Sequence, residues 1–569
     1  MTTTRAHRLI LPQLIPWACF WALFAWGWRV RNPFTHIPAY GDVLEVLWGI
    51  WWYYDSIFSR YSSPLFTSLV FHPVGWHTAT LAHTPFLFLI SLPLYSLGGS
   101  GFAYNFMAIL ALIVAFAGAF RFARLYVSWP VATVAALAFT FWRMGWDRVN
   151  GHLHTVWLSG LLAWLAWSLE QAKRAPESKQ RRWVVYTGVM WGLMINFSLY
   201  GVFIGVLAFL LWGRQIFQPR RLGQIIIAGL IALILGLPTI GMYAVGTWED
   251  HTRIHGAEHN MWWGASLNSL FIPSIFHPLE PVRNLARSIY KGPYNESGVM
   301  NFGLLTSMLA LVGCAVVVNT RPRTAGLVIL ALTSIILSMG LLLRWNGEVI
   351  QHPVFRPLNA WIWNLGHALK PQVFSASRPG PFENGVPLPG FLLTAIVPFW
   401  EGARTVSRYA VLGMLSMVVL AGIALESLPR IARIGLIALW LVEMLPSPIR
   451  NLPVPIQPHP AYTWLMRQPL GPGEGILEMT YPTLRIGGEI LWATSFHRKP
   501  TVSGAGSFWP EHTFALWSYF LNDQTALSNP QVGFVLKQYG IRYLFFCICM
   551  GTERGKYGQW CKTIRHFGR

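Results

Sequence analysis

Leu153 to Phe197 reads LHTVWLSGLLAWLAWSLEQAKRAPESKQRRWVVYTGVMWGLMINF. Two apolar runs, at about 154–170 and 183–198, flank the connector KRAPESKQRR (Lys173 to Arg182). Apolar runs of this kind suit helices across the ~30 Å hydrocarbon core of a bilayer. A connector rich in Lys and Arg stays on the cytoplasmic side. The stretch therefore predicts two helices that enter and leave a membrane.

The same alternation continues in both directions. Further apolar runs lie at about 9–28, 101–120, 127–142, 200–213, 224–246, 301–319, 324–343, 407–427 and 434–447. The basic connectors RFAR (Arg121, Arg124), RQIFQPRR (Arg214 to Arg221), NTRPRT (Arg321, Arg323) and PRIARI (Arg430, Arg433) join alternate runs. With Arg5 and Arg8 inside, all connectors share the cytoplasmic face if eleven runs span the membrane. That parity requires that HTPFLFLISLPLYSLGG (His83 to Gly99), interrupted by Pro85 and Pro93, lies on the surface or re-enters. The expected topology is a multi-pass protein of the cytoplasmic membrane, N-terminus inside and C-terminus outside. Its long loops, near 30–100, 143–153, 247–300 and 344–406, then all lie on the outer face.

From about 448 the texture changes. GEGILEM and IRYLFFCICM are short β-type runs between Gly- and Pro-rich turns, and HPAYTWLMRQ can open a helix. The expected fold is mainly α: a polytopic membrane domain over 1–447, followed by a small extracytoplasmic α/β domain over 448–569.

Composition agrees with this class. Hydrophobic residues make up 54% of the chain and charged residues 11%, with 30 Trp and 19 Tyr suited to the headgroup level. The net charge of +21 has its sources in the connectors and in contacts with anionic lipid or phosphate. No nucleic-acid motif accompanies it, so nucleic acid is not an expected partner. Cys19 and Cys314 lie in apolar runs as packing residues, while Cys561 either bridges Cys547 or Cys549 or all three remain thiols.

Chemistry-bearing residues gather in the outer loops. In AYGDVLEVLWGIWWYYDSIF (Ala39 to Phe58), Asp42 and Glu45 stand three apart, on one face if helical, ahead of an aromatic stretch expected to lie at headgroup depth. RMGWDRVNGHLHTVW supplies Asp147, Arg148, His152 and His154; FHPVGWHTATLAHTP supplies His72, His77 and His83. The histidines read as hydrogen-bonding rim residues that fix loops. WEGARTVSRYAVLG puts Arg404 and Arg408 four apart, on one helical face, where two guanidiniums suit a phosphate or snorkel to headgroups. In WEDHTRIHGAEHNMWW, Glu249 and Asp250 read as loop polarity.

GDVLEVLW, PLFTSLVFHPVGW, GHLHTVWLSGLLAW, GARTVSRYAVLGMLSMVVLAGIAL, HRKPTVSGAGSFWP and LKQYGIRYLFF together resemble bacterial integral-membrane glycosyltransferases of the GT-C superfamily. The resemblance runs along most of the chain, in order. It implies a sugar donor on a polyprenyl phosphate, a glycan, lipid or protein acceptor, and an acidic catalytic residue in the first outer loop, a position Asp42 matches. His152 matches a recurring Gly-His. Glu45 has no firm counterpart, and Val43 stands where many members carry a second acid.

Such a transfer needs a base for the acceptor hydroxyl, here Asp42, and positive charge on the departing phosphate. Arg404 and Arg408, or a divalent metal (Mg or Mn), supply that charge. Glu45, Asp147, Arg148 and His152 complete the expected substrate-binding set. A single displacement inverts the anomeric centre. The competing classes are a lipid-linked sugar transporter or flippase and a non-catalytic membrane subunit. Transporters place ionisable groups at mid-membrane, whereas these runs are nearly free of acids.

Overall fold

The apolar runs form helices that pass back and forth in one bundle. The structure, a computed structural model, describes residues 3–81, 84–252, 255–293, 300–480, 483–484, 487–505, 509–522, 529, 531–549 and 559–566. In chain order the main helices are α1 (Thr3–Gly27), α2 (Asp42–Tyr54), α3 (Pro85–Ala123), α4 (Trp129–Phe141), α5 (Leu153–Arg174) and α6 (Glu177–Phe197). They continue with α7 (Gly201–Ala208), α8 (Pro219–Glu249), α9 (Leu304–Thr320), α10 (Gly326–Ser338), α11 (Ala410–Glu426) and α12 (Arg430–Glu443).

Among the described residues, three helical segments are long and apolar enough to cross a membrane: Pro85–Ala123, Pro219–Glu249 and Val406–Glu426. Others are shorter than their apolar runs. The 13-residue α4 and α10 measure about 20 Å each at 1.5 Å per residue. At the end of α4 the backbone turns out of the helix at Trp142, with ψ 154°.

Close approach of backbones holds the bundle together. Residues Ala410 to Leu425 of α11 are buried without a break, so this helix is the hub. Gly313 of α9 lies against the backbone carbonyl of Leu420 in α11, where any added methyl would collide. Small residues at such crossings let helices meet where lipid supplies no hydrophobic drive. The outward faces are apolar: Leu230, Ile234 and Leu237 of α8 are 53%, 69% and 57% exposed, a stripe that fits hydrocarbon far better than water.

The segment before the second half of α3 is helical through Pro93, and the break comes after it, at a glycine pair. The chain leaves helical geometry at Gly98 and Gly99, the latter at φ 75°. The first half packs on α2, with Phe88 5.1 Å from Tyr53 and Tyr95 4.3 Å from Tyr54, ring to ring.

The tail forms strands β1 (Gly475–Thr480), β2 (Thr483–Leu484), β3 (Ile541–Cys549) and β4 (Gln559–His566), ordered β4-β3-β1-β2. The β1–β3 pair is parallel and β3–β4 antiparallel. Cys561 stands opposite Cys547, and Gln559 opposite Cys549. Helices α13 (Pro460–Met466) and α14 (Gly488–His497) precede those over Glu511–Asn522 and Gln531–Gln538.

The C-terminal region is stitched to the segment between α1 and α3. His36–Ile37 pairs with Leu452–Pro453, and His72 N–H donates to Thr501 O at 2.9 Å while Thr501 N–H donates to Leu69 O at 3.0 Å. The aromatic residues of α2 are therefore covered largely by protein. Trp48, Trp52 and Tyr53 are buried in protein, between α3 and α14, and Trp48 Nε1 donates to Thr494 Oγ1 at 2.8 Å.

Gly313→Ala is expected to destabilise the protein by ~1–3 kcal/mol, the usual cost of overpacking, and to lower its melting temperature in detergent. Gly435→Ala adds a methyl with nothing within 4 Å and should leave melting unchanged. Equal melting of both variants would contradict the α9–α11 contact.

Candidate active site

The first turn of α2 is fixed by three separate segments. Gly41, at φ 64°, turns the chain into the helix, a backbone state that costs glycine little. Its N–H donates to Glu489 Oε1 at 3.1 Å, and Gly488 packs directly on the Gly41 carbonyl. On the other side Gly151, at φ 126°, lies so close to Asp42 Cβ that a side chain there would clash. The turn carrying Gly151 is held by Tyr104, whose hydroxyl donates to Val149 O at 2.6 Å.

This packing brings His152 Nε2 to 3.5 Å from Asp42 Oδ2. The Asp42 side chain is 54% exposed and that of His152 15%. Glu45, one turn on, is only 5% exposed. The two acids share the N-terminal turn of α2, where the helix dipole favours negative charge, but only Asp42 opens outward. A half-exposed carboxylate beside an imidazole can take a proton from a hydroxyl and share it.

The other candidates form neighbouring clusters. Arg148 is buried, its Nη2 3.3 Å from Met144 Sδ. Asp147 lies 3.7 Å from Arg143 and lines a cleft with Arg143, Asn301 and Glu443. Burial raises the Asp147 pKa, and Arg143 and Arg148 pull it back.

Arg404 and Arg408 do not share an α-helical face, contrary to their spacing. The chain is 3₁₀ over Trp400–Gly402 and Val406–Tyr409, and α11 begins only at Ala410. Aromatic faces collect them instead: Arg404 stands 5.2 Å from the Trp263 ring and Arg408 4.8 Å from that of Tyr200. Tyr200 OH also accepts the Thr405 N–H at 3.0 Å. Around the start of α5, Trp157 stacks on Phe197 at 4.3 Å, and the rings of His154 and His152 are 5.7 Å apart.

The loop histidines serve as fasteners. His77 is clamped between Asp250 Oδ1 at 2.5 Å and Glu249 Oε2 at 2.9 Å, so those acids are more than loop polarity. His72 sits in a socket formed by Gly475 and Gly540 of the tail. His83 lies outside the described residues. Asp42 and His152 offer one oxygen and one nitrogen to a metal. Among the described residues no group of three His, Cys, Asp or Glu converges as a metal site. Two donors fall short of an ion held by protein alone; a Mg or Mn ion here would need substrate phosphate and water to complete its shell.

Glu489, Gly488, Tyr104, Tyr200 and Trp263 escape sequence analysis. Only RIGGEIL, Arg485 to Leu491, holds a signal, a glycine pair ahead of a lone acid at a helix start.

No protein family and no curated protein matches the chain. Among solved structures it is similar to the archaeal oligosaccharyltransferase AglB of Archaeoglobus fulgidus, in complex with an inhibitory peptide and a dolichol-phosphate. That likeness has a TM-score of 0.48 at 11% identity and covers 96% of this chain and 70% of that one. It is also similar to ArnT of Cupriavidus metallidurans bound to undecaprenyl phosphate, with a TM-score of 0.43 at 13% identity, covering 95% and 93%. A third is the arabinofuranosyltransferase AftD from Mycobacteria, with a TM-score of 0.46 at 13% identity, covering 94% of this chain but 35% of that one.

At the end of α14 away from Asp42 stands His497, which is buried and stacked on Tyr462 at 5.4 Å. Burial, with Lys499 adding to it, lowers its pKa to about 3. The unfolded chain, titrating near 6.5, binds more protons between these values, so stability is full above about pH 6.5 and falls with pH below it. A scan of melting temperature from pH 7 to pH 5 is expected to show a loss of ~2 kcal/mol, and His497→Gln should flatten it. The same slope in both proteins would exclude His497 as the cause.

Proposed function

We propose that the protein is a membrane glycosyltransferase. It moves a sugar from a polyprenyl-phosphate-linked donor to an acceptor on the outer face of the cytoplasmic membrane, with inversion. The observation that carries this reading is Asp42, half exposed and held 3.5 Å from His152 by three converging segments. The sequence resemblance to GT-C glycosyltransferases supplies the donor class. In this proposal residues 1–447 cross the membrane eleven times from a cytoplasmic N-terminus, and residues 448–569 form an extracytoplasmic domain above them.

The chemistry is a single displacement. Asp42 accepts the proton of the acceptor hydroxyl as its oxygen bonds to the anomeric carbon, and His152 shares that proton. The bond from the anomeric carbon to the phosphate oxygen breaks, and its electron pair leaves with the polyprenyl phosphate. A phosphate leaves without protonation, so the demand is for positive charge, which Arg404 and Arg408 provide. Their seats on aromatic rings hold that charge at a depth where water screens it little.

Purified protein offered a panel of polyprenyl-phosphate sugars is expected to transfer or hydrolyse at least one of them. Asp42→Asn should lower that rate by ~10²–10⁴-fold, the range for a lost general base, with melting unchanged. His152→Gln should lower it less. Turnover in Asp42→Asn equal to that of the parent would sink the assignment.

A further inference from the structure

We propose that the protein holds a second lipid, a zwitterionic aminophospholipid, at a site separate from the Asp42 face. Its acyl chain would lie between α1, α4 and α12, and its head would stand at Arg143 and Asp147. The three helices enclose a groove of about 460 Å³ lined by Ile15, Leu23, Val134, Leu137, Ile437 and Leu441. Water in such a groove finds no polar partners, whereas a hydrocarbon chain fills it at no cost to hydrogen bonding.

At one end the groove meets the cleft beside Asp147, for Leu445 lines both. The cleft is built for charge. Arg143 Nη1 donates to Asn301 Oδ1 at 3.2 Å, its Nε stands 3.7 Å from Asp147 Oδ2, and its guanidinium lies 5.2 Å from the Phe276 ring. Glu443 is engaged elsewhere, accepting the N–H groups of Leu305 and Thr306 at 2.9 and 3.2 Å at the start of α9. One guanidinium and one carboxylate thus stand at the mouth, with a second carboxylate behind. A purely anionic head has no cation to offer Asp147. A phosphoethanolamine head places its phosphate on Arg143 and its ammonium on Asp147, so both charges of the head meet an opposite one.

The test is native mass spectrometry of the full chain in detergent, offered equal amounts of palmitoyl-oleoyl phosphatidylethanolamine and phosphatidylglycerol. One retained phosphatidylethanolamine is expected, favoured by about fivefold, or ~1 kcal/mol. Ala22→Trp, at an exposed position lining the groove, should cut total retained lipid by about tenfold, ~1.4 kcal/mol. Asp147→Asn should retain lipid but lose the ethanolamine preference. Equal retention of the two lipids by the parent chain overturns the proposal, as does unchanged preference in Asp147→Asn. That second variant decides the matter if Ala22→Trp does not fold.

Discussion

The parallel pairing of α2 with α14 is the contact on which the site depends. Three points tie the two helices along their length. At one end Glu489 accepts the Gly41 N–H, and in the middle Thr494 accepts the Trp48 indole N–H. At the other end Arg498 reaches Asp55 at 3.0 Å and lies 5.6 Å from the Trp51 ring. Asp55 is buried and also meets Arg60 at 2.6 Å, which meets the need of a buried carboxylate for charge and hydrogen bonds. A helix held at both ends cannot slide, so its first turn has one position, and Asp42 with it.

The segment between α1 and α3 serves the same end. His77 ties it to the end of α8 through Asp250 and Glu249, and His72 plugs it into the tail between Gly475 and Gly540. A loop that would otherwise carry α2 on a flexible tether becomes part of a packed layer. Preorganisation of that kind is what a proton-transfer group needs, since the geometry then costs nothing at the moment of reaction.

Charge gathers at the two ends of the bundle. Near the basic connectors the few acids cap or pair: Glu170 meets Lys173 and Arg174, each at 3.2 Å, and Glu426 accepts the Ser128 N–H at 2.9 Å. Cations sit on aromatic rings at both ends, Arg121 on Trp164 and Arg174 on Tyr126 beside the connectors, Arg404 on Trp263 and Arg408 on Tyr200 at the other. The middle of the bundle is packed by glycine, alanine and aliphatic side chains, as at Gly313 and Leu420.

The helices were legible in the sequence because hydropathy is a local property: the run at 407–427 became α11 without reference to anything distant. The strands GEGILEM and IRYLFFCICM were legible for the same reason. What sequence could not separate is burial in lipid from burial in protein, since both select Trp, Tyr and Ile. The stretch from Trp48 to Tyr54 therefore read as an interfacial helix, whereas α3 and α14 cover it. Helical spacing also misplaced Arg404 and Arg408, because the backbone there follows 3₁₀ turns that nothing in residue type announces. The pairing of Asp42 with His152, and of Gly41 with Glu489, belongs to the tertiary structure alone. Local pattern reports what each segment prefers, and only the packed chain decides which distant segments meet.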